Sequence, residues 1–195
     1  MSQGRTEPGR ALVFLVGFMG SGKSTVGERL ARILGWEFED SDRRVEVVSG
    51  RSVEAIFRES GEGRFRGIEA EVLDDLALRE RCVVATGGGL FLGRSQRHLM
   101  KRVGWTIWLD LPLNGVRERL GGGRGRPLWD DGDPVELRAV FEKRRASYAL
   151  AHRRVGAGGS GPQRIAQRIA SFFVDSGWKL VIEERDRQRS WEDDS

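Results

Sequence analysis

The chain has 195 residues, 38% of them hydrophobic and 32% charged, with a formal net charge of +4. That length supports one buried core and leaves little room for a second domain, and no apolar run approaches the length of a membrane span. Residues 1–10 are polar, and the apolar stretch 11–17 behind them is too short for a cleaved signal, so a cytoplasmic protein is expected. The lone cysteine, Cys82, excludes an internal disulfide and a thiolate zinc site and reads as a buried strand residue. Nearly all the positive charge is arginine, interleaved with acids as in Arg117-Glu118-Arg119. This pattern favours small phosphate and carboxylate ligands over nucleic acid.

Residues 12–16 (LVFLV) form a continuous apolar run ending in glycine, which predicts a buried parallel strand. Val26, Leu30, Ile33 and Leu34 recur at helical spacing, so a helix is expected over 25–34 with Gly35 as its stop. Residues 36–40 (WEFED) alternate like a strand. A short helix is predicted over 53–57 and a longer one over 65–78, with Ile68, Val72, Leu73 and Leu76 on one face. Strands are expected at 82–86 and 106–111, and a helix over 112–120 with proline in its first turn.

Residues 121–134, rich in Gly, Arg and Asp and without periodicity, predict a mobile loop. A long helix over 134–150, a short strand at 154–155 and a last helix over 162–174 follow. Residues 1–10 and the charged tail 176–195 are expected to be flexible, leaving 11–175 as the domain. Strand–helix alternation implies an α/β domain with a mainly parallel sheet and helices on both faces. Ligands of such sheets bind at the carboxyl ends of the strands.

Gly17-Phe18-Met19-Gly20-Ser21-Gly22-Lys23-Ser24 matches G-x-x-x-x-G-K-[ST], between a predicted strand and a predicted helix. Glycines let successive N–H groups point at phosphate oxygens, and the helix amino end adds partial positive charge. Lys23 would reach the β- and γ-phosphates, and the Ser24 hydroxyl would ligate Mg²⁺. Even in a chain with 27 glycines, a chance match is on the order of one in a hundred.

Asp40-Ser41-Asp42 closes the second predicted strand. If that strand neighbours the first, Asp40 can sit near the metal and Asp42 farther out, where an acceptor hydroxyl would bind. Alone, Ser41 or Asp42 would read better as a helix N-cap; beside the phosphate loop, the functional reading is favoured.

From about residue 12 to 173 the chain resembles the shikimate kinases. The carriers, in order, are GFMGSGKSTVGERLA, Asp40-Ser41-Asp42, Ile56-Phe57, Gly61-Glu62, Phe65-Arg66-x-x-Glu69, Ala85-Thr86-Gly87-Gly88-Gly89, Arg126-Pro127-Leu128 and Arg144-x-x-x-Tyr148. The resemblance implies a P-loop kinase fold: three α/β/α layers, a five-stranded parallel sheet, a substrate-binding helical insert and a mobile lid. It implies transfer of the ATP γ-phosphoryl group to the 3-hydroxyl of shikimate, in chorismate biosynthesis, by a Mg²⁺-dependent monomer.

Position by position, it implies that Gly20, Ser21, Gly22, Lys23, Ser24 and Thr25 hold the nucleotide, with Ser24 and Asp40 at the metal. Asp42 would hold the ring hydroxyls and act as the base. Arg66 and Arg144 would clamp the carboxylate against Gly87, Gly88 and Gly89. Arg126 would close over the phosphates from the lid, and Arg119 and Pro162 would sandwich adenine. Tyr148 reads as packing, and His98 and His152 as surface or structural residues.

Overall fold

In the computed structural model, which describes residues 11–120 and 134–173, the run Leu12–Val16 becomes strand β1, buried at every position. Four more strands join it: β2 (Glu37–Asp40), β3 (Cys82–Ala85), β4 (Trp105–Asp110) and β5 (Arg153–Gly156). The order is β2-β3-β1-β4-β5 and every pairing is parallel. β1 sits in the middle, with Leu12 opposite Cys82 on one side and Val13 opposite Trp105 on the other. A strand buried on both faces has no polar positions to spare, which is why β1 shows no alternation.

Helices α1 (Lys23–Leu34), α2 (Ser41–Ser49), α3 (Val53–Leu76), α4 (Arg94–Val103), α5 (Leu113–Leu120), α6 (Pro134–Tyr148) and α7 (Pro162–Phe173) make the crossovers and close the chain. The connection β1→β2 runs one way along the sheet; β2→β3 and β3→β4 run the other. Right-handed crossovers therefore put α1 on one face and α3 and α4 on the opposite face. α7 packs beside α1, burying Ile165, Ala166, Ile169, Ala170 and Phe173 along one stripe. Each large apolar side chain buried this way contributes about 1.5–3 kcal/mol. Because the chain departs in opposite directions from β1 and β3, a crevice opens at their carboxyl ends. No helix among the described residues is long and apolar enough to cross a membrane.

Several local expectations are corrected. The first helix starts at Lys23, two residues earlier than its apolar spacing suggested, because Gly22 takes the left-handed N-cap conformation (φ 92°). The helices expected over 53–57 and 65–78 join as α3, interrupted at Gly61 (φ 77°, ψ 171°). β2 does not neighbour β1, since β3 lies between them. The predicted second strand ends at Asp40, and Ser41 and Asp42 belong to the helix that follows. The chain turns into α2 at Ser41, and the cap is Asp40, whose Oδ1 accepts from Asp42 N at 3.0 Å and Arg43 N at 3.5 Å. Residues 1–10, most of the predicted lid with Arg126, and the tail 176–195 lie outside the described residues.

Candidate active site

The phosphate loop joins β1 to α1 in the crevice. The first N–H groups of a helix have no intrahelical acceptor, and α1 has no acidic residue in its first turn to occupy them. Lys23 Nζ arches back to donate to Gly17 O and Phe18 O, both at 3.0 Å. The sequence therefore delivers a cradle of N–H donors beside an ammonium group, which suits a polyphosphate.

Ser24 Oγ donates to Asp40 Oδ2 at 2.6 Å. With β3 between β2 and β1, the contact is made by α1, which brings Ser24 to the end of β2. The two oxygens of Asp40 thus divide between two partners, Oδ1 capping α2 and Oδ2 meeting Ser24. A hydroxyl beside a carboxylate is a hard-oxygen donor pair of the kind Mg²⁺ takes along with substrate phosphates. The described residues hold no group of three or more His, Cys, Asp or Glu that could enclose a metal.

The glycine turn after β3 is fixed from several directions. Gly87 N donates to Ser41 Oγ at 2.8 Å, Gly87 O accepts from Leu90 N at 3.2 Å, and Gly89 O accepts from Leu92 N at 3.0 Å. Gly88 O accepts from Tyr148 Oη at 2.5 Å. Close approach explains the absence of side chains at Gly87 and Gly89: a Cβ on Gly89 would overlap the Arg66 guanidinium, and one on Gly87 would fall 2.5 Å from Asp42 Oδ1 and 3.0 Å from Glu69 Oε1. A Cβ on Gly88 would stand 3.8 Å from Arg144 Nη1, 3.7 Å from Met19 N and 3.9 Å from Gly17 O. Gly87, Gly88 and Gly89 therefore bring Asp42, Arg66, Arg144 and the phosphate loop to one place.

Arg66 is held by two carboxylates. Nη1 donates to Glu69 Oε2 at 2.7 Å, while Nε and Nη2 donate to Glu62 Oε1 at 3.2 and 3.0 Å. Burial works against the guanidinium charge, but the bonds to Glu69 and Glu62 outweigh it and raise its pKa. Glu69 is only 2% exposed, and its Oε1 has no hydrogen-bond partner among the described residues. Burial pushes its carboxyl above the usual range; Arg66 opposes this, while Asp42 and Glu62 add to it. On α6, the Arg144 guanidinium lies over the Phe18 ring, 5.5 Å from its centroid. Two guanidiniums from separate helices can each present paired N–H groups to one carboxylate.

Arg119 of α5 also reaches the loop: Nη1 donates to Gly20 O and Ser21 O, both at 3.2 Å, and Nη2 to Ala157 O at 2.9 Å. Pro162 opens α7 a few residues farther on. An open depression of about 1370 Å³ runs along α4, lined by Arg94, Lys101, Trp105, His152 and others. None of the predicted site residues lines it. His152 proves structural, with Nδ1 accepting from Thr106 N at 3.1 Å.

Three residues of this region were given no part in the site from sequence: Ser41, Glu69 and Tyr148. Glu69 had a signal, since it falls on the buried stripe of α3 with Phe65, Ile68, Val72, Leu73 and Leu76; a carboxylate there needs a partner. Arg66–Glu69 is not a surface ion pair, because Glu69 is buried.

The shikimate kinase family model matches residues 19–174. A shikimate kinase of Persephonella marina is 43% identical over 157 residues, covering 80% of this chain and 95% of that protein. The structure of the Acinetobacter baumannii shikimate kinase, solved in complex with shikimate, superposes with a TM-score of 0.81 at 33% identity, covering 87% of this chain and 96% of that one. A gluconokinase from Sinorhizobium meliloti shares the fold, at a TM-score of 0.55 and 19% identity over 89% of this chain and 97% of that one. With four fifths of its length matched, and with a phosphate loop, glycine turn and paired arginines meeting in one crevice, the chain belongs to the shikimate kinase family.

Proposed function

We propose that this chain transfers the γ-phosphoryl group of ATP to the 3-hydroxyl of shikimate, as a cytoplasmic enzyme working as a single copy. The observation that carries the reading is the position of the glycine turn. Gly88 and Gly89 lie against the guanidiniums of Arg144 and Arg66 respectively, and Gly88 borders Gly17 and Met19 of the phosphate loop. A carboxylated ring seated there would have its acid held by two forks of N–H donors. Its hydroxyls would face Asp42 on one side and the nucleotide on the other.

Phosphoryl transfer asks the protein mainly for positioning and electrostatic stabilisation. The N–H groups at the start of α1 and the Lys23 ammonium hold the phosphates, with Gly20, Ser21, Gly22 and Thr25 completing the cradle. Asp42 accepts the hydrogen bond of the attacking hydroxyl and takes its proton late. Ser24 and Asp40 would hold Mg²⁺, which neutralises charge on the β- and γ-phosphates when bound. Arg119 and Pro162 flank the adenine, and Arg126 supplies a further positive charge to the transferring group.

A coupled ADP-release assay across shikimate, gluconate, quinate and nucleoside monophosphates tests the reading. Turnover with shikimate, dependent on Mg²⁺, is expected. Turnover with gluconate or a nucleoside monophosphate, and none with shikimate, would overturn it.

A further inference from the structure

Tyr148, the sole tyrosine of the chain, is the last residue of α6 and is 2% exposed. Its position one helical turn past Arg144 puts both on one face of α6. The phenol has two polar neighbours. Its proton goes to Gly88 O at 2.5 Å, and its oxygen meets the Arg144 guanidinium. A guanidinium has no acceptor and the phenol's one proton goes to Gly88 O, so toward Arg144 the Oη can act only as an acceptor. The ring is itself confined by Trp108, tilted against it with centroids 6.3 Å apart.

The three groups form a closed arrangement, because Arg144 Nη1 already stands 3.8 Å from the Cβ position of Gly88. A long arginine side chain samples several rotamers when nothing orients it. Here a rigid phenol, anchored to the same glycine turn, stands beside the guanidinium. Burial pushes the phenol up to about 12, despite the adjacent Arg144. It therefore keeps its donor proton at any pH where the enzyme would work.

We propose that Tyr148 is a positioning residue for the carboxylate of the substrate: its hydroxyl sets the Arg144 guanidinium against the Gly88 turn. The inference rests on reading Arg144 as one arm of the carboxylate clamp. Tyr148 touches no reacting atom, so its effect belongs to acid-substrate binding and not to phosphoryl transfer.

The test is a cycle of Tyr148→Phe, Arg144→Ala and the double variant, read as separate KM and kcat values. Removing one oriented hydrogen bond predicts a rise of about 3- to 10-fold in the shikimate KM of Tyr148→Phe. The ATP KM and kcat should stay within about twofold, a split that general loosening of the fold would not give. In the Arg144→Ala background, Tyr148→Phe should add nothing, since it acts through the missing guanidinium. Equal rises in both KM values, or fully additive effects in the double variant, would overturn the inference. If Arg144→Ala itself leaves the shikimate KM unchanged, the clamp reading fails first and this one with it. If Arg144→Ala raises that KM and Tyr148→Phe does not, this inference alone fails.

The lone tyrosine allows a check that does not depend on a folded variant. In protein made with 3-fluorotyrosine, the single fluorine resonance should move on titration with shikimate, with a midpoint matching substrate binding. A resonance indifferent to saturating shikimate would overturn the inference.

Discussion

Ser41 Oγ accepts a hydrogen bond from the backbone N–H of Gly87 at 2.8 Å, across 46 residues of sequence, with both residues buried. The contact ties the start of α2, which carries Asp42, to the turn against which Arg66 and Arg144 lie. Ser41→Ala leaves a buried donor without an acceptor, a loss of about 1–3 kcal/mol. Ser41→Thr keeps the oxygen and should lose less. Denaturant unfolding of both variants checks the ranking; an alanine variant as stable as the parent would show that another acceptor reaches Gly87.

Arg66 differs from a free surface arginine in that Glu69 depends on it. Arg66→Ala would strand a buried carboxylate and confuse binding with stability. Arg66→Lys keeps a positive charge beside Glu69 but loses the planar fork. The shikimate KM should rise about 10- to 100-fold, the value of hydrogen bonds to a charged group, while the ATP KM stays put. Steady-state kinetics with each substrate varied in turn decides it. An unchanged shikimate KM would remove Arg66 from the clamp.

What the chain reveals without its structure follows from where each signal resides. β1 was legible because a strand buried on both faces is apolar at every position, and α1 because Val26, Leu30 and Leu34 recur on one side. α4 was not, because Met100 is its sole buried residue and its other apolar residues, Leu99 and Val103, are only partly buried among polar neighbours. The strand order was also invisible, since it is settled by long-range packing rather than by any local pattern; Asp40 reaches Ser24 by way of α1, not by strand adjacency. The phosphate loop, Asp42, Arg66 and Arg144 were found by motif, but their convergence depends on the glycine turn. The phenol of Tyr148 bonds a carbonyl 60 positions away, and no spacing within α6 announces that.

Lys23 separates chemistry from folding. Its ammonium donates to two loop carbonyls at part-buried positions, so Lys23→Met should change stability by no more than about 1.5 kcal/mol. Its loss from the phosphate cradle should lower kcat by about 10²- to 10³-fold or more. Thermal unfolding and single-turnover rates, measured on the same preparation, test the two halves. A variant that keeps its turnover would remove Lys23 from the reaction.

His152 sets a pH dependence of stability away from the site. Its Nδ1 accepts from Thr106 N at 3.1 Å, and its own backbone N–H donates to Thr106 Oγ1 at 3.0 Å. A protonated ring would put a donor against that backbone donor. Burial first, then the charges of Lys101 and Arg153, lower its pKa below the ordinary 6.5. The unfolded chain therefore takes up a proton near 6.5 while the folded one resists until lower pH. The stabilisation is complete above the ordinary value and is lost as pH falls through it toward the lowered folded value. His152→Asn keeps an acceptor for Thr106 N but cannot titrate. Between pH 7.5 and pH 5, the parent should lose more melting temperature than the variant, and above pH 7.5 the two curves should run parallel. Parallel curves across the whole range would mean that His152 folds and unfolds with the same proton affinity, and that neither burial nor its cationic neighbours govern it.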